Sequence, residues 1–257
     1  MNGDLRSVRL SVLMAVYNEV ATLEAAILRL RQVPLNVELV CVDDGSSDGS
    51  REVLSRLHRE GLVDSLELSE GNHGKGAAIR AAVRRATGDV MVILDADLEY
   101  DPHDLPLLLQ PIVDGRADAV FGSRFLGGPH RVLYFWHRVG NGLLTLFSNM
   151  LTDLNLSDME TGYKMTRADL MRSLPLTARR FGLEPELTAR LAQARARIYE
   201  VPISYSGRTY AEGKKITWRD GLAAVWHTLR FNLFPPKRIR EWRGATAAKS
   251  PGGAATE

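Results

Sequence analysis

The chain has 257 residues, with 33 basic and 31 acidic side chains and a net charge of +2. So even a balance argues against a dedicated nucleic-acid binder, and 45% hydrophobic residues argue against a disordered chain. The length suits one large or two small domains, and the single cysteine, Cys41, excludes an intramolecular disulfide, in keeping with a reducing cytoplasm.

The first half alternates strand and helix patterns. Residues 9–16 read as a strand, and Thr22 is placed to cap a helix with Leu23, Ile27 and Leu30 on one face. A second strand over 37–42 runs into Asp43-Asp44-Gly45-Ser46-Ser47-Asp48-Gly49-Ser50, a turn rich in capping residues. A helix with Val53, Leu54 and Leu57 inward follows, then a weaker strand over 62–68 and an alanine-rich helix over 74–85. Strands are predicted over 90–94 and 117–122. This alternation predicts an α/β fold, a mostly parallel sheet with helices on both faces, whose ligands bind beyond the carboxyl ends of the strands.

The acidic clusters fall at those ends. Val90 to Leu94 is an apolar run that stops at Asp95-Ala96-Asp97. In extended backbone, positions two apart point the same way, so Asp95 and Asp97 converge on a hard divalent cation, Mg²⁺ or Mn²⁺, and Glu99 joins them if the strand geometry persists. Lys75 stands among glycines at a helix start, where an ammonium and unpaired backbone amides together suit phosphate. Its spacing is not that of a P-loop, and no G-x-G-x-x-G follows the first strand, which disfavours a Rossmann dehydrogenase. Cys41 sits in an apolar run and reads as a small core residue.

The second half is less regular. Residues 130–151 are rich in Leu, Phe, Tyr and Trp. Residues 216–234 predict an amphipathic helix with Trp218, Leu222, Val225, Trp226, Leu229 and Leu233 among its apolar members, ended by Pro235 and Pro236. A basic stretch over 237–243 and a small, polar, disordered tail over 244–257 complete the chain. No run approaches the roughly 18 to 20 apolar residues of a transmembrane helix, so contact with a membrane is expected at its surface. Lipid headgroups, packing onto the domain and a homodimer interface are the alternative covers for the two apolar faces.

Four elements stand in order: Ala15-Val16-Tyr17-Asn18-Glu19, Val42-Asp43-Asp44-Gly45-Ser46-Ser47-Asp48, Gly71-Asn72-His73-Gly74-Lys75-Gly76 and Asp95-Ala96-Asp97. Together they resemble the family 2 glycosyltransferases of GT-A fold, in particular the polyprenyl-phosphate sugar synthases. The resemblance implies an inverting, metal-dependent transfer of a hexose from UDP-glucose or GDP-mannose to a polyprenyl phosphate. It implies a cytoplasmic enzyme, or one peripheral on the cytoplasmic face of the membrane. It also implies that Ala15, Tyr17 and Glu19 line the base and ribose, that Asp44 accepts from the base, and that Ala96 adjoins the donor. Lys75, Arg208 and Lys214 are implied at the diphosphate, Asp95 and Asp97 at the metal, and Arg124 and Arg138 at the acceptor phosphate. Asp158, and after it Glu160, stand where this fold often places an acid-base carboxylate.

The resemblance divides the chain into an extension over 1–8, a catalytic domain over 9–215, the amphipathic and basic segment over 216–243 and the tail. Two alternatives stay open: the same fold acting on a soluble hydroxyl acceptor, and a silent nucleotide-sugar binding module. A hydroxyl acceptor needs a base, whereas a phosphate monoester, with a second pKa of about 6, is largely ionised near neutral pH. For a lipid phosphate, Asp158 is therefore expected to position substrate or basic residues.

Overall fold

The structure is a computed structural model that describes residues 3–127, 129–132, 134–180, 182–209 and 218–236. In chain order the elements are β1 (Arg9–Val16), α1 (Leu23–Arg31), β2 (Asn36–Asp43), α2 (Ser50–Arg59), β3 (Ser65–Leu68), α3 (Lys75–Arg85), β4 (Val90–Ile93), α4 (Leu105–Val113), β5 (Ala119–Ser123), α5 (Phe135–Thr152), β6 (Lys164–Arg167), α6 (Ala168–Ser173), α7 (Leu183–Gln193), β7 (Ile198–Pro202) and α8 (Trp218–Leu233). The strands form one sheet in the order β3-β2-β1-β4-β6-β5-β7.

Only β6 runs against its neighbours, pairing antiparallel with both β4 and β5. The other strands end at one edge. The chain reverses spatial direction between β1 and β4, and the crevice beyond their carboxyl ends is where such sheets hold ligands. Because β6 is inverted, its start at Lys164 and the loop leading into it reach that same edge.

Helices cover both faces, as alternation along the strands requires. Val90 and Val92 of β4 face one core with Leu10, Val12 and Met14 of β1 and Leu105, Leu108 and Leu109 of α4. Met91 and Ile93 face the other core with Ile79 and Ala82 of α3 and Leu187 and Leu191 of α7. Each fully buried Leu or Ile contributes about 1.5–3 kcal/mol of transfer free energy.

Several local expectations change. Thr22 precedes α1, but its hydroxyl faces Glu19 rather than an amide of the first helical turn. β4 ends at Ile93, so Asp95 and Asp97 lie in the loop beyond it. Leu98 has a left-handed φ of 63°, which breaks the strand alternation on which Glu99 had been placed.

The two apolar helices of the second half leave much of their apolar surface exposed, which disfavours packing onto the domain as its cover. On α8 the side chains that bury are Ala224, Thr228 and Phe231, against α7, whose Gln193 donates to the Phe231 carbonyl at 2.9 Å. Leu222, Trp226 and Leu233 are exposed. On α5 the buried residues are Thr145 and Ser148, while Phe135, Trp136, Leu143, Leu146 and Met150 face outward. The polar face of α5 has work inside: Thr145 accepts from the Met159 amide, and Asn149 brackets the backbone of Leu156.

Candidate active site

The sheet edge collects charged side chains from segments spread along the chain. Asp44, at the end of β2, is buried, and its carboxylate accepts from the amides of His73 at 2.8 Å and Gly74 at 2.7 Å. This clamp fixes the turn that starts α3. Gly74 there has φ 90°, and a Cβ would lie 2.3 Å from the Arg179 carbonyl, so only glycine fits. Asp44 was expected to accept from a nucleobase; the structure employs two of its lone pairs on the lysine turn. Asp48 likewise receives the Val20 and Ser50 amides.

Lys75 follows as the first residue of α3. Its ammonium lies 2.9 Å from Asp95 and 2.9 Å from Glu184, which stands in the first turn of α7. Burial alone would lower the lysine, but the two carboxylates outweigh it and hold Lys75 well above the ordinary lysine range. Glu184 was not among the sequence candidates; a glutamate at a helix N-terminus is common enough to carry no signal alone.

Arg208 binds the second acidic group together. Its guanidinium lies 3.0 Å from Asp97, 3.3 Å from Glu19 and 3.4 Å from Glu99, and its amide donates to Glu99 at 2.9 Å. The Tyr205 hydroxyl donates to the other oxygen of Glu99 at 2.7 Å. Glu99 thus faces the loop after β7 rather than continuing a row with Asp95 and Asp97. Burial, with the charges of Asp95 and Glu99 close by, pushes the Asp97 carboxyl up to about 7. Among the described residues no three acidic, histidine or cysteine side chains gather as a metal cage. Lys75 draws Asp95 one way and Arg208 draws Asp97 and Glu99 the other.

The third centre is Arg124, just past β5. It grips Asp158 with Nε and Nη2, both at 2.7 Å, and its amide donates to the same carboxylate at 3.1 Å. Asn141 of α5 completes the set, accepting from Arg124 and donating to Asp158, each at 3.2 Å. Asp158 is fully buried, and its loop is held from below by Glu200 of β7, which accepts from the amides of Ser157 and Asp158. Arg138 is exposed on α5, 3.6 Å from the Phe125 ring centroid, and lines a shallow groove of about 420 Å³ with Gly142, Leu146 and Leu156.

Between these centres lies the segment 159–164. Lys164 is buried and donates to the carbonyls of Met159 at 2.6 Å and Thr161 at 2.7 Å. Burial lowers it to about 8 and raises Glu160 to about 7. Ala15, near the end of β1, is half-buried, Ala96, between Asp95 and Asp97, is buried, and Tyr17 is exposed just after β1. Lys214 lies outside the described residues, as do the basic stretch and the tail.

The family model of glycosyl transferase family 2 matches residues 11–174. The chain belongs to this family. It is 32% identical over 244 residues to an undecaprenyl-phosphate mannosyltransferase of Micrococcus luteus, an alignment covering 88% of this chain and 99% of that one. It is 27% identical over 211 residues to a dolichol-phosphate mannosyltransferase of Pyrococcus furiosus, covering 80% of this chain and 59% of the longer relative. These similarities place this family 2 glycosyltransferase with the polyprenyl-phosphate sugar synthases. Among solved structures, glucosyl-3-phosphoglycerate synthase from Mycobacterium tuberculosis, in complex with Mn²⁺, UDP and glucosyl-3-phosphoglycerate, superposes with a TM-score of 0.69. That match covers 91% of this chain and 84% of the other at 21% identity, and it establishes the GT-A fold.

Proposed function

We infer that this glycosyltransferase moves a hexose from a nucleoside diphosphate sugar to a polyprenyl phosphate at a membrane surface. The observation that carries the reading is two separate basic centres on one sheet edge. Lys75 starts α3 and contacts Asp95 and Glu184, while Arg124 follows β5 and grips Asp158. Lys75 and the first amides of α3 suit a departing diphosphate. Arg124, with Arg138 at the lip of the groove, suits an incoming phosphate, since a planar guanidinium pairs with phosphate oxygens in two places. The hexose between them would be displaced in line, with inversion.

The donor-side acids suit Mg²⁺ or Mn²⁺. They offer only hard oxygen donors, and after burial it is the negative charge of Asp95 and Glu99 that lifts Asp97, a charge that a cation relieves. Asp97, with Asp95, would hold the ion, which when bound supplies positive charge to the leaving diphosphate. Arg208 already rests on these carboxylates and carries the charge needed to follow a diphosphate there. Ala15, Tyr17, Glu19 and Asp44 are retained for the nucleoside, and UDP-glucose and GDP-mannose are the donors to compare. The likeness to two mannosyltransferases favours mannose.

Asp158 acts through Arg124 in this reading. A carboxylate that already accepts four hydrogen bonds is a poor general base, and a phosphate acceptor needs none. The membrane part rests on α5, which turns Thr145 and Ser148 inward, and on α8, which is anchored by Phe231; they leave Trp136 77% and Trp226 59% exposed. No described helix is long and apolar enough to cross a bilayer, so these faces would lie in the headgroup layer.

The test is a transfer assay with each donor, Mn²⁺ or Mg²⁺ and a short polyprenyl phosphate. A lipid-linked monosaccharide is expected, lost with EDTA and reduced about a hundredfold or more in Asp97→Ala. Asp158→Asn is expected to raise the acceptor KM while leaving measurable kcat. Collapse of kcat at unchanged acceptor KM would instead favour a hydroxyl acceptor with Asp158 as its base.

A further inference from the structure

Buried carboxyls elsewhere in the molecule are satisfied by the protein. Glu38 receives the Thr87 amide and the Ser11 and Thr87 hydroxyls, Glu186 receives the amides of Thr177 and Ala178, and Asp118 is gripped by Arg197. Glu160 differs. Its Oε1 is shut off from solvent and has no hydrogen-bond partner, the one carboxyl oxygen in that state among the described residues. A buried polar atom left unpaired costs free energy, and natural proteins keep few of them outside functional sites.

The place of this oxygen gives it a purpose. Glu160 lies within electrostatic reach of Glu184, the partner of Lys75, and of Arg124 and Asp158. Its own loop passes close to the donor-side acids: a Cβ on Gly162 would stand 3.1 Å from the Asp95 carboxylate. Lys164 pins the loop backbone by two carbonyls on either side of Glu160, so a turn of the Glu160 side chain alone presents its unpaired oxygen to a ligand. In the reading above, the diphosphate sits on the Lys75 side and the acceptor phosphate on the Arg124 side. The group that joins the two during an in-line displacement is the sugar ring.

We propose that Glu160 is a specificity-determining residue that hydrogen-bonds, through its unpartnered oxygen, a hydroxyl of the donor hexose. The proposal rests on the reading of the protein as a nucleotide-sugar-dependent transferase. A hydroxyl suits the site in either protonation state of the carboxyl, because it both donates and accepts. A site built to bond a hydroxyl discriminates strongly against a donor that lacks it, because the protein group is then left unpaired.

The test compares wild type with Glu160→Met, which keeps much of the volume and removes both carboxyl oxygens. Binding of UDP and of GDP is measured by calorimetry, thermal unfolding is followed in parallel, and transfer kinetics use UDP-glucose, GDP-mannose and their monodeoxy analogues. The expected result is nucleoside diphosphate affinity within about twofold of wild type, an equal or higher Tm, and kcat/KM for the intact donor down about tenfold or more. One monodeoxy donor is expected to lose the same factor on wild type and nothing further on the variant, the signature of a shared contact. A lowered Tm with unchanged donor kinetics would make Glu160 a structural residue and overturn the proposal. Equal losses on wild type and variant for every monodeoxy donor would overturn it as well. Should wild type bind no nucleotide sugar at all, the transferase reading falls and takes this inference with it. Normal transfer by the variant removes this inference alone.

Discussion

Glu160 and Lys164 bind protons in ways that make stability depend on pH. The folded protein keeps the Glu160 proton up to about 7, while the unfolded chain releases it near 4.5. Across that window the native state binds more protons, so stability falls as pH rises. Lys164 acts in the opposite direction: lowered to about 8 from 10.5, it is protonated more readily in the unfolded chain, and stability rises with pH between those values. We predict that the Tm of wild type declines from pH 4.5 to 7 and that Glu160→Gln flattens this decline. Asp97 titrates with the same sign, so part of the slope remains in the variant. Thermal melts across this range, in a buffer series of constant ionic strength, measure both slopes. A variant slope as steep as wild type would assign the effect to the other raised carboxyls, Asp97, Asp104 and Glu200.

At the level of single elements, α5 and α8 explain how an apolar helix ends up facing outward. The hydrophobic period of 216–234 is legible in the sequence, but which stripe meets protein depends on what the neighbours offer. The inward face of α5 must organise the loop bearing Asp158, and it does so with Asn141, Thr145 and Asn149, spaced one turn apart. Phe231 is the anchor of α8 on α7. Trp136→Glu combined with Trp226→Glu is expected to abolish sedimentation with anionic lipid vesicles and to lower turnover on a long-chain lipid acceptor. Because both side chains are largely exposed, each change should alter stability by no more than about 0.5 kcal/mol. Unchanged vesicle binding would leave a second copy of the chain as the cover for these faces, which sedimentation equilibrium detects.

Across the whole molecule, Arg208 ties the end of β7 to the ends of β1 and β4 through Glu19, Asp97 and Glu99. One guanidinium thus closes this side of the crevice and offsets its like charges. Arg208→Ala is expected to speed hydrogen exchange over 204–209 and to weaken nucleotide-sugar binding about tenfold or more, while the far edge of the sheet keeps its protection. Exchange unchanged over that loop would mean that Tyr205 and the backbone bonds of Ser206 suffice to hold it.

The alternation of strands and helices, the parallel sheet and the acids beyond β2 and β4 were all readable from the chain, since period and turn chemistry are local properties. The pairing of charges was not. β6 is four residues long and carries Lys164 and Arg167, so nothing local announces an inverted strand in mid-sheet. Yet that inversion brings 158–164 to the edge where Lys75 and Asp97 already stand. Spacing could suggest that Asp95 and Asp97 share a face; only long-range contact divides them between Lys75 and Arg208, residues 20 and 111 positions away. The same holds for Glu160, which the resemblance offered after Asp158 as an acid-base carboxylate; its unpaired buried oxygen shows only once its neighbours are in place. Burial and the lack of a partner are relations among distant segments, and they arise only when the sheet has assembled.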